Sequence, residues 1–159
     1  MNIIDESGIL AISTRLQRLS EQLRKDGALI YKEFGIDFEP KWFPVILTLH
    51  HKKELSIVEI AHEIGYTHPS TISLLKELEN KQLILSKKDK QDERKRLIEV
   101  TSKGEALVEQ MKPVWELIKK VLGEIADNEN NLLAAINEAE TKIAEQSFYQ
   151  RALQLKNSK

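Results

Sequence analysis

The densest group of basic side chains lies between residues 81 and 96. Seven cations in this stretch face only three acids, whereas the whole chain of 159 residues carries 24 Lys and Arg against 25 Asp and Glu. The cations are Lys81, Lys87, Lys88, Lys90, Arg94, Lys95 and Arg96. A local excess of positive charge on an otherwise neutral chain is the electrostatic footprint of a site for a polyanion such as a nucleic acid. Charge alone leaves a second interpretation open, a solvated charged hairpin that binds nothing.

Short hydroxyl side chains form a second group, which precedes the basic stretch. Ser70, Thr71 and Ser73 follow the turn at residues 65–67, and Lys76 lies one helical turn further on. Ser and Thr side chains are small enough to approach base edges and phosphates closely, and they donate hydrogen bonds to both. The two groups together predict a DNA-reading surface, provided that the fold places them side by side.

Other chemistry has little support in the sequence. The six glycines form neither G-x-G-x-x-G nor G-x-x-x-x-G-K, and no Ser/His/Asp arrangement stands out, so we do not expect an enzyme. The chain has no cysteine, and its four histidines include no pair spaced i, i+4. We therefore predict neither a metal site nor a cofactor.

The N-terminal part of the chain is predicted to be helical. Apolar residues recur at steps of three and four from Ile9 to Leu23, which is the period of a helical seam, and they predict a first helix from about Ser7 toward Phe34. A second helix begins near Pro40 and is apolar on most sides, which predicts that it is buried.

The turn at residues 65–67 is predicted to join two short helices. Ser56 and Glu59 have the spacing of a capping box for a third helix, which Gly65 ends. A fourth helix begins near Thr67. Its apolar stripe is predicted to be core: Ile72, Leu75 and Leu78. A steep crossing at this turn lets the polar N-terminal face of the fourth helix enter the major groove of DNA.

Two β-prone segments follow, at residues 83–85 and 97–100, and the basic stretch between them forms the tip of a predicted hairpin. Helix, turn, helix and basic hairpin in this order are typical of a winged helix-turn-helix. We therefore predict a mainly α fold with a small β-hairpin wing.

Long helices are predicted on the C-terminal side. Ser102 and Glu105 repeat the capping-box spacing and begin a helix through Ile125, in which Pro113 should bend the helix or leave a carbonyl unpaired. After a polar break at residues 127–131, one last helix is predicted from Leu132 through Leu155.

Two stretches of the sequence resemble the MarR family of multiple-antibiotic-resistance-type transcriptional regulators. They are IVEIAHEIGYTHPSTISLLKELENKQLI, residues 57–84, and DERKRLIEVTSKG, residues 92–104. The pair Asp92 and Arg94, followed by Val100-Thr101 and Gly104, resembles the wing signature of that family. The segments IDFEPKWFP and YTHPS further resemble the regulator half of two-domain proteins that carry an acetyltransferase.

The resemblance implies a homodimer in which N- and C-terminal helices intertwine while two winged domains read a pseudo-palindromic operator. It implies that Arg94 enters the minor groove and that Asp92 orients the wing. The full set of expected DNA-binding residues is Ser70, Thr71, Ser73, Lys76, Lys87, Lys88, Lys90, Arg94 and Lys95. Leu74 departs from the family pattern and is either core-facing or a contact to a thymine methyl group. Gln82 stands where relatives usually have a glycine that ends the recognition helix.

Aromatic residues bracket the junction between the dimer helices and the reading domain, where this family tends to bind small effectors. The resemblance therefore implies a small aromatic or amphipathic effector near Tyr31, Trp42 and Phe43. An aromatic core at this hinge is the alternative, since aromatic side chains are common in cores.

We expect residues 1–38 to form an N-terminal dimerisation helix, 39–103 the winged helix-turn-helix domain and 104–159 the C-terminal dimerisation helices. The expected function is a sequence-specific, DNA-binding transcriptional regulator. The alternative is a helical dimeric protein-interaction module without specific DNA binding. The longest apolar runs are far shorter than the roughly 20 residues of a bilayer span, and the acids at positions 5 and 6 do not suit a secretory signal. We therefore expect a cytoplasmic protein without a membrane partner.

Overall fold

The computed structural model describes residues 2–158; Met1 and Lys159, the outer ends of the two predicted dimerisation segments, lie outside the described residues. The helices are α1 Ile3–Glu6, α2 Ile12–Glu33, α3 Phe43–Lys52, α4 Ile57–Ile64, α5 His68–Asn80, α6 Ser102–Ala126, α7 Leu132–Glu145 and α8 Phe148–Asn157. The strands are β1 Glu54–Ser56, β2 Ile84–Lys88 and β3 Arg96–Val100. Single 3₁₀ turns occupy Gly8–Ala11 and Pro40–Trp42. The predicted class, mainly α with a small β wing, is confirmed.

The sheet contains one strand more than the predicted hairpin. Its order is β1-β3-β2, and both pairings are antiparallel, with Glu54 opposite Glu99 and Ser86 opposite Ile98. Because β1 has only three residues and leads directly into α4, it shows no alternation that sequence reading could detect. This strand attaches the wing to the start of the helix-turn-helix.

Local capping signals set the helix-turn-helix as predicted. The Ser56 hydroxyl accepts a hydrogen bond from the Glu59 amide, and the Glu59 carboxylate accepts one from the Ser56 amide, so the capping box is complete. Gly65 ends α4 in the left-handed conformation, with φ +70°, which glycine adopts without steric cost. Thr67 then caps α5 by accepting a hydrogen bond from the Ser70 amide.

Two predicted helices are wrong in their extent. The first does not run unbroken from Ser7, because Gly8 has φ +57° and a 3₁₀ turn separates α1 from α2. The last is not one helix from Leu132 through Leu155 but the pair α7 and α8. Ser147 and Gln150 form a complete capping box that begins α8, and this local signal was missed.

The long helix α6 begins with a different cap from the one predicted. Thr101, not Ser102, caps it: the Thr101 hydroxyl accepts a hydrogen bond from the Gly104 amide at 3.0 Å. The Glu105 carboxylate instead lies 2.8 Å from Nδ1 of His50 on α3. The helix continues through Pro113 to Ala126, so the proline does not end it.

The chain divides into two compact units, one up to Val114 and one from Trp115 onward. The first unit holds a packed core, in which Ile46, Leu49, Ile60 and Leu78 are fully buried. In the second unit none of the described residues 115–158 is buried. The predicted assignment of terminal helices to dimerisation concerns a second chain and stays a prediction. None of the described helices combines the length and the apolar character that a bilayer span requires.

Candidate nucleic-acid interface

The helix α5 presents a narrow polar face beside a buried apolar one. Ser70, Ser73 and Lys76, spaced three residues apart, are exposed. The opposite side of the helix contains the buried residues Leu74, Leu75 and Leu78. Residues three apart lie on one face of a helix, so the two serines and the lysine form one continuous strip that is open to a ligand.

Thr71 does not belong to that strip, which corrects its predicted role in DNA binding. Its side chain is 0% exposed, and its hydroxyl donates a hydrogen bond to the carbonyl oxygen of Thr67 at 2.9 Å. The Thr71 hydroxyl is thus buried, and it donates its hydrogen bond within the first turn of α5. Leu74 is also buried, which places it in the core rather than against a thymine methyl group.

The turn ahead of α5 is held from the N-terminal helix. Nη2 of Arg24 on α2 donates a hydrogen bond to the Tyr66 hydroxyl at 3.0 Å. Tyr66 lies between the end of α4 and the Thr67 cap of α5. The contact therefore connects α2 to the element that sets the crossing of α4 and α5.

Two aspartates shape the wing tip, residues 89–95. The Asp89 carboxylate accepts a hydrogen bond from the Gln91 amide at 2.9 Å, and the Asp92 carboxylate accepts one from the Arg94 amide at 3.0 Å. Short carboxylates commonly stabilise turns by accepting from a backbone N–H two residues ahead. Asp92 therefore fixes the backbone at Arg94, and this geometry supports the orienting role that the resemblance implies for it.

The wing carries a group of exposed cations. Lys88, Lys90, Arg94 and Lys95 are exposed and form no ion pair with any residue in the described part of the chain. Lys95 is near enough to Glu59 to contribute to the lowered pKa of that carboxyl group, although hydrogen bonds from Ser56 are the main cause. Such free cations are what a phosphate backbone attracts.

Three other basic residues of the stretch have partners within the protein. Lys81 pairs with Asp37 at 3.1 Å, and Arg96 donates hydrogen bonds to Ser86. Lys87, predicted to bind DNA, lies 2.7 Å from Glu54 and 2.8 Å from Glu99, and hydrogen bonds to these two carboxylates raise its pKa. The basic stretch is thus divided between structural cations and free ones, a division that charge counting does not show.

The predicted effector residues do not form an open crevice. Tyr31 and Trp42 are only 3% and 2% exposed, and Phe38 packs edge-on between them with ring centroids 5.1 and 5.7 Å away. Nε1 of Trp42 donates a hydrogen bond to Glu77 on α5 at 2.9 Å. Phe43 is partly exposed, at 37%. The aromatic-core interpretation therefore describes Tyr31 and Trp42, and Phe38 is the member of this core that sequence reading missed.

Glu77 joins this aromatic core to the recognition face. Its carboxylate also pairs with Lys41 at 2.8 Å, and Lys41 and Trp42 together hold the pKa of Glu77 below its usual range.

A separate surface cavity of about 340 Å³ lies in the first unit. It is lined by Gly35, Ile36, Asp37, Lys81, Leu83, Lys103, Ala106, Leu107 and Gln110, so it contains none of the predicted effector residues.

Comparison with known proteins gives one family and one fold. The model of the family described as Transcriptional regulator SarA/Rot matches residues 18–111, more than half of the chain. Among solved structures, MepR of S. aureus in complex with DNA is 23% identical with a TM-score of 0.68, over 83% of this chain and 96% of that one. A mutant MarR of E. coli complexed with operator DNA is 16% identical with a TM-score of 0.63, over 90% and 99% of the two chains.

A third structure concerns the regulation of DNA binding by 6-hydroxynicotinic acid in BpsR of Bordetella bronchiseptica. It is 21% identical with a TM-score of 0.60, and the match covers 80% of this chain and 98% of that one. At these identities the three likenesses establish a common fold. Together with the match to the family model, they confirm the predicted resemblance to MarR-type winged helix-turn-helix regulators.

Proposed function

Because the chain belongs to the SarA/Rot family of transcriptional regulators, we propose that it binds double-stranded DNA as a homodimer. The recognition helix α5 lies in the major groove, where Ser70, Ser73 and Lys76 face bases and phosphates. The wing tip reaches the adjacent minor groove, whose strongly negative potential favours the Arg94 guanidinium. Two such units related by a two-fold axis read a pseudo-palindromic operator.

The observation that carries this proposal is the set of free cations beside a polar helix face. Lys88, Lys90, Arg94 and Lys95 lie exposed and unpaired on the wing, within the same compact unit as the exposed strip of α5. An exposed cation cluster in a chain with net charge −1 favours a phosphate backbone as its partner. A protein-interaction module would not require this local excess, so the alternative is not favoured.

The homodimer is supported by apolar side chains that one chain leaves uncovered. Leu10 in the first 3₁₀ turn is 91% exposed, and Phe148 at the start of α8 is 82% exposed. Large apolar groups at both ends of a chain are typical of surfaces that a second copy covers.

Because a regulator of this kind acts on chromosomal DNA, we propose that it is cytoplasmic. We propose no catalytic activity for it.

A small aromatic or amphipathic effector forms part of the same proposal. The DNA binding of BpsR, which shares this fold, is regulated by 6-hydroxynicotinic acid. An effector changes DNA affinity only through its different affinity for the free and DNA-bound proteins, and DNA must weaken the effector by the same factor. Because Tyr31 and Trp42 are closed within the core, the effector does not bind between them without displacing that core.

The experiment is a selection of genomic fragments bound by the purified protein, followed by fluorescence anisotropy of the best fragment over a range of salt concentrations. We expect log affinity to fall linearly with log salt, with a slope of about −0.9 per phosphate contacted. Arg94→Ala should weaken binding by about 1–3 kcal/mol. Lys112→Ala, which removes a cation paired with Glu109 on α6, should leave it unchanged. Failure to enrich any fragment, or equal loss in both variants, would refute the proposal.

A further inference from the structure

The ion-pair group around Lys87 joins three different strands. Glu54 lies on β1 directly opposite Glu99 on β3, and Glu99 in turn lies opposite Leu85 on β2, two residues before Lys87. Opposed residues of an antiparallel pair share a face of the sheet, as do residues two apart on one strand. Glu54, Lys87 and Glu99 therefore share one face, and Lys87 connects the outer strands β1 and β2, which do not pair with each other.

The neighbouring residue Lys88 has the opposite surroundings. It lies on the other face of β2, opposite Arg96, and it makes no ion pair with any described side chain. These two consecutive lysines are both exposed, but they lie on opposite faces of β2 and only Lys87 has carboxylates beside it. This pair offers a built-in comparison between a cation held by the fold and one left for a ligand.

The charge of the group also argues against contact with DNA through Lys87. Two carboxylates surround one ammonium group, so this patch of the sheet carries a net charge of −1. A phosphate approaching Lys87 meets both acids within a few ångströms, and like charges at that distance repel. The cations of the wing tip, and Lys88 on the opposite face of the hairpin, form no ion pair with any described residue.

We propose that Lys87 is a positioning residue, an inference that rests on the proposed DNA-binding function. Lys87 holds the wing against β1 so that the cations of the wing tip meet the DNA, and Lys87 itself makes no phosphate contact. Since β1 leads directly into α4, this connection sets the angle of the wing relative to the helix-turn-helix. The role requires a cation placed between the two carboxylates and does not require that the cation be at position 87.

The first test compares Lys87→Gln with Lys88→Gln in anisotropy titrations of the full-length protein on one selected duplex at several salt concentrations. Loss of a phosphate contact in Lys88→Gln should reduce the steepness of the log–log salt dependence by about 0.9. Lys87→Gln should leave the slope unchanged and weaken binding by about two- to fivefold at every salt concentration, the scale of an exposed ion pair. Lys87→Arg should restore wild-type affinity, because it keeps a cation between the same acids.

A charge exchange separates positioning from contact more sharply. Lys87→Glu alone should weaken binding strongly, and the double variant Lys87→Glu/Glu99→Lys should recover most of the loss, because it returns a cation to the centre of the group. A direct phosphate contact by Lys87 predicts no recovery. A reduced salt slope in Lys87→Gln, or a double variant as weak as Lys87→Glu, would overturn the proposal.

Amide hydrogen exchange provides a readout that needs no DNA. In Lys87→Gln the β2 and β3 amides should exchange faster than in the wild type, whereas Lys88→Gln should leave them unchanged. If the β2 and β3 amides exchanged at the same rate in Lys87→Gln and Lys88→Gln, this would contradict the positioning role, even if the protein bound no DNA at all. A wild-type protein without affinity for any duplex would refute the proposed function, while this measurement would still decide the role of Lys87.

Discussion

Replacing Gly104 by alanine should destabilise the protein, although the same change in a helix ordinarily stabilises it. Gly104 is buried in the first turn of α6, against the base of the wing. A Cβ atom built there lies 2.5 Å from Cγ1 of Val100 and closer still to the carbonyl oxygen of Leu83. That oxygen accepts a hydrogen bond from the Thr101 amide at 3.0 Å. The added methyl group therefore pushes against backbone that is itself held in place.

Three contributions set the change in the free energy of unfolding: one favours alanine and two oppose it. Alanine gains about 1 kcal/mol over glycine in helix propensity. Overpacking a tight site costs typically about 1–3 kcal/mol, and weakening the Thr101–Leu83 hydrogen bond costs about 1 kcal/mol more. We therefore expect a net loss of about 1–3 kcal/mol in the free energy of unfolding.

The matched control lies in the same helix. Gly123 has nothing within 4 Å of a built Cβ, so Gly123→Ala should stabilise the protein by about 0.5–1 kcal/mol. Urea denaturation followed by far-UV circular dichroism, at one fixed protein concentration, measures both variants. If Gly104→Ala proved as stable as Gly123→Ala, the close contact between α6 and the base of the wing would be wrong.

Three further outcomes are expected. Gln82 lies just beyond the end of α5 and has φ +59°, a left-handed conformation that is unfavourable for a residue with a Cβ. Gln82→Gly should therefore raise the free energy of unfolding by about 0.5–1 kcal/mol in urea titrations, and an unchanged value would contradict the strain. Lys41 and Trp42 lower the pKa of Glu77 from its usual 4.5. The carboxylate therefore stabilises the protein fully above pH 4.5, and this contribution is lost as the pH falls toward the lowered pKa. The stability difference between wild type and Glu77→Gln should shrink in acid, and a constant difference would refute the linkage. DNA binding should resist hydrogen peroxide, because the chain has no thiol and Met111 is fully buried, while Met1 lies outside the described residues; rapid release of DNA in a gel shift would contradict this.

The helix-turn-helix could be predicted because its signals are local. The capping box of Ser56 and Glu59 begins α4, and the left-handed Gly65 ends it. Both signals act within four residues of the chain. The fourth helix shows the limit of the same reasoning. Thr71 lies on one stripe with Leu75 and Leu78, at steps of four and three, so its burial could have been predicted from spacing. Its hydroxyl group favoured the functional interpretation instead.

Contacts between distant parts of the chain could not be predicted. Lys87 lies in the same basic stretch as the unpaired cations, so the sequence around it does not distinguish it from them. Its two acids lie on other strands, 33 and 12 residues away along the chain. The hydrogen bond from Trp42 to Glu77 on α5 likewise joins residues 35 positions apart, which no periodicity in the sequence relates. The expectation that the chain is not an enzyme rested on missing motifs, and the family match shows that the chain belongs to a family of transcriptional regulators.

We propose that two copies of this chain read two half-sites, with α5 in the major groove and the wing tip in the minor groove. Hydroxyl-radical and methylation footprinting on the selected duplex tests it most directly. We predict two major-groove patches related by two-fold symmetry and centred about one or two helical turns of 10–10.5 base pairs apart, flanked by minor-groove protection that Arg94→Ala removes. A single patch, or minor-groove protection that persists in Arg94→Ala, would contradict this mode of DNA binding.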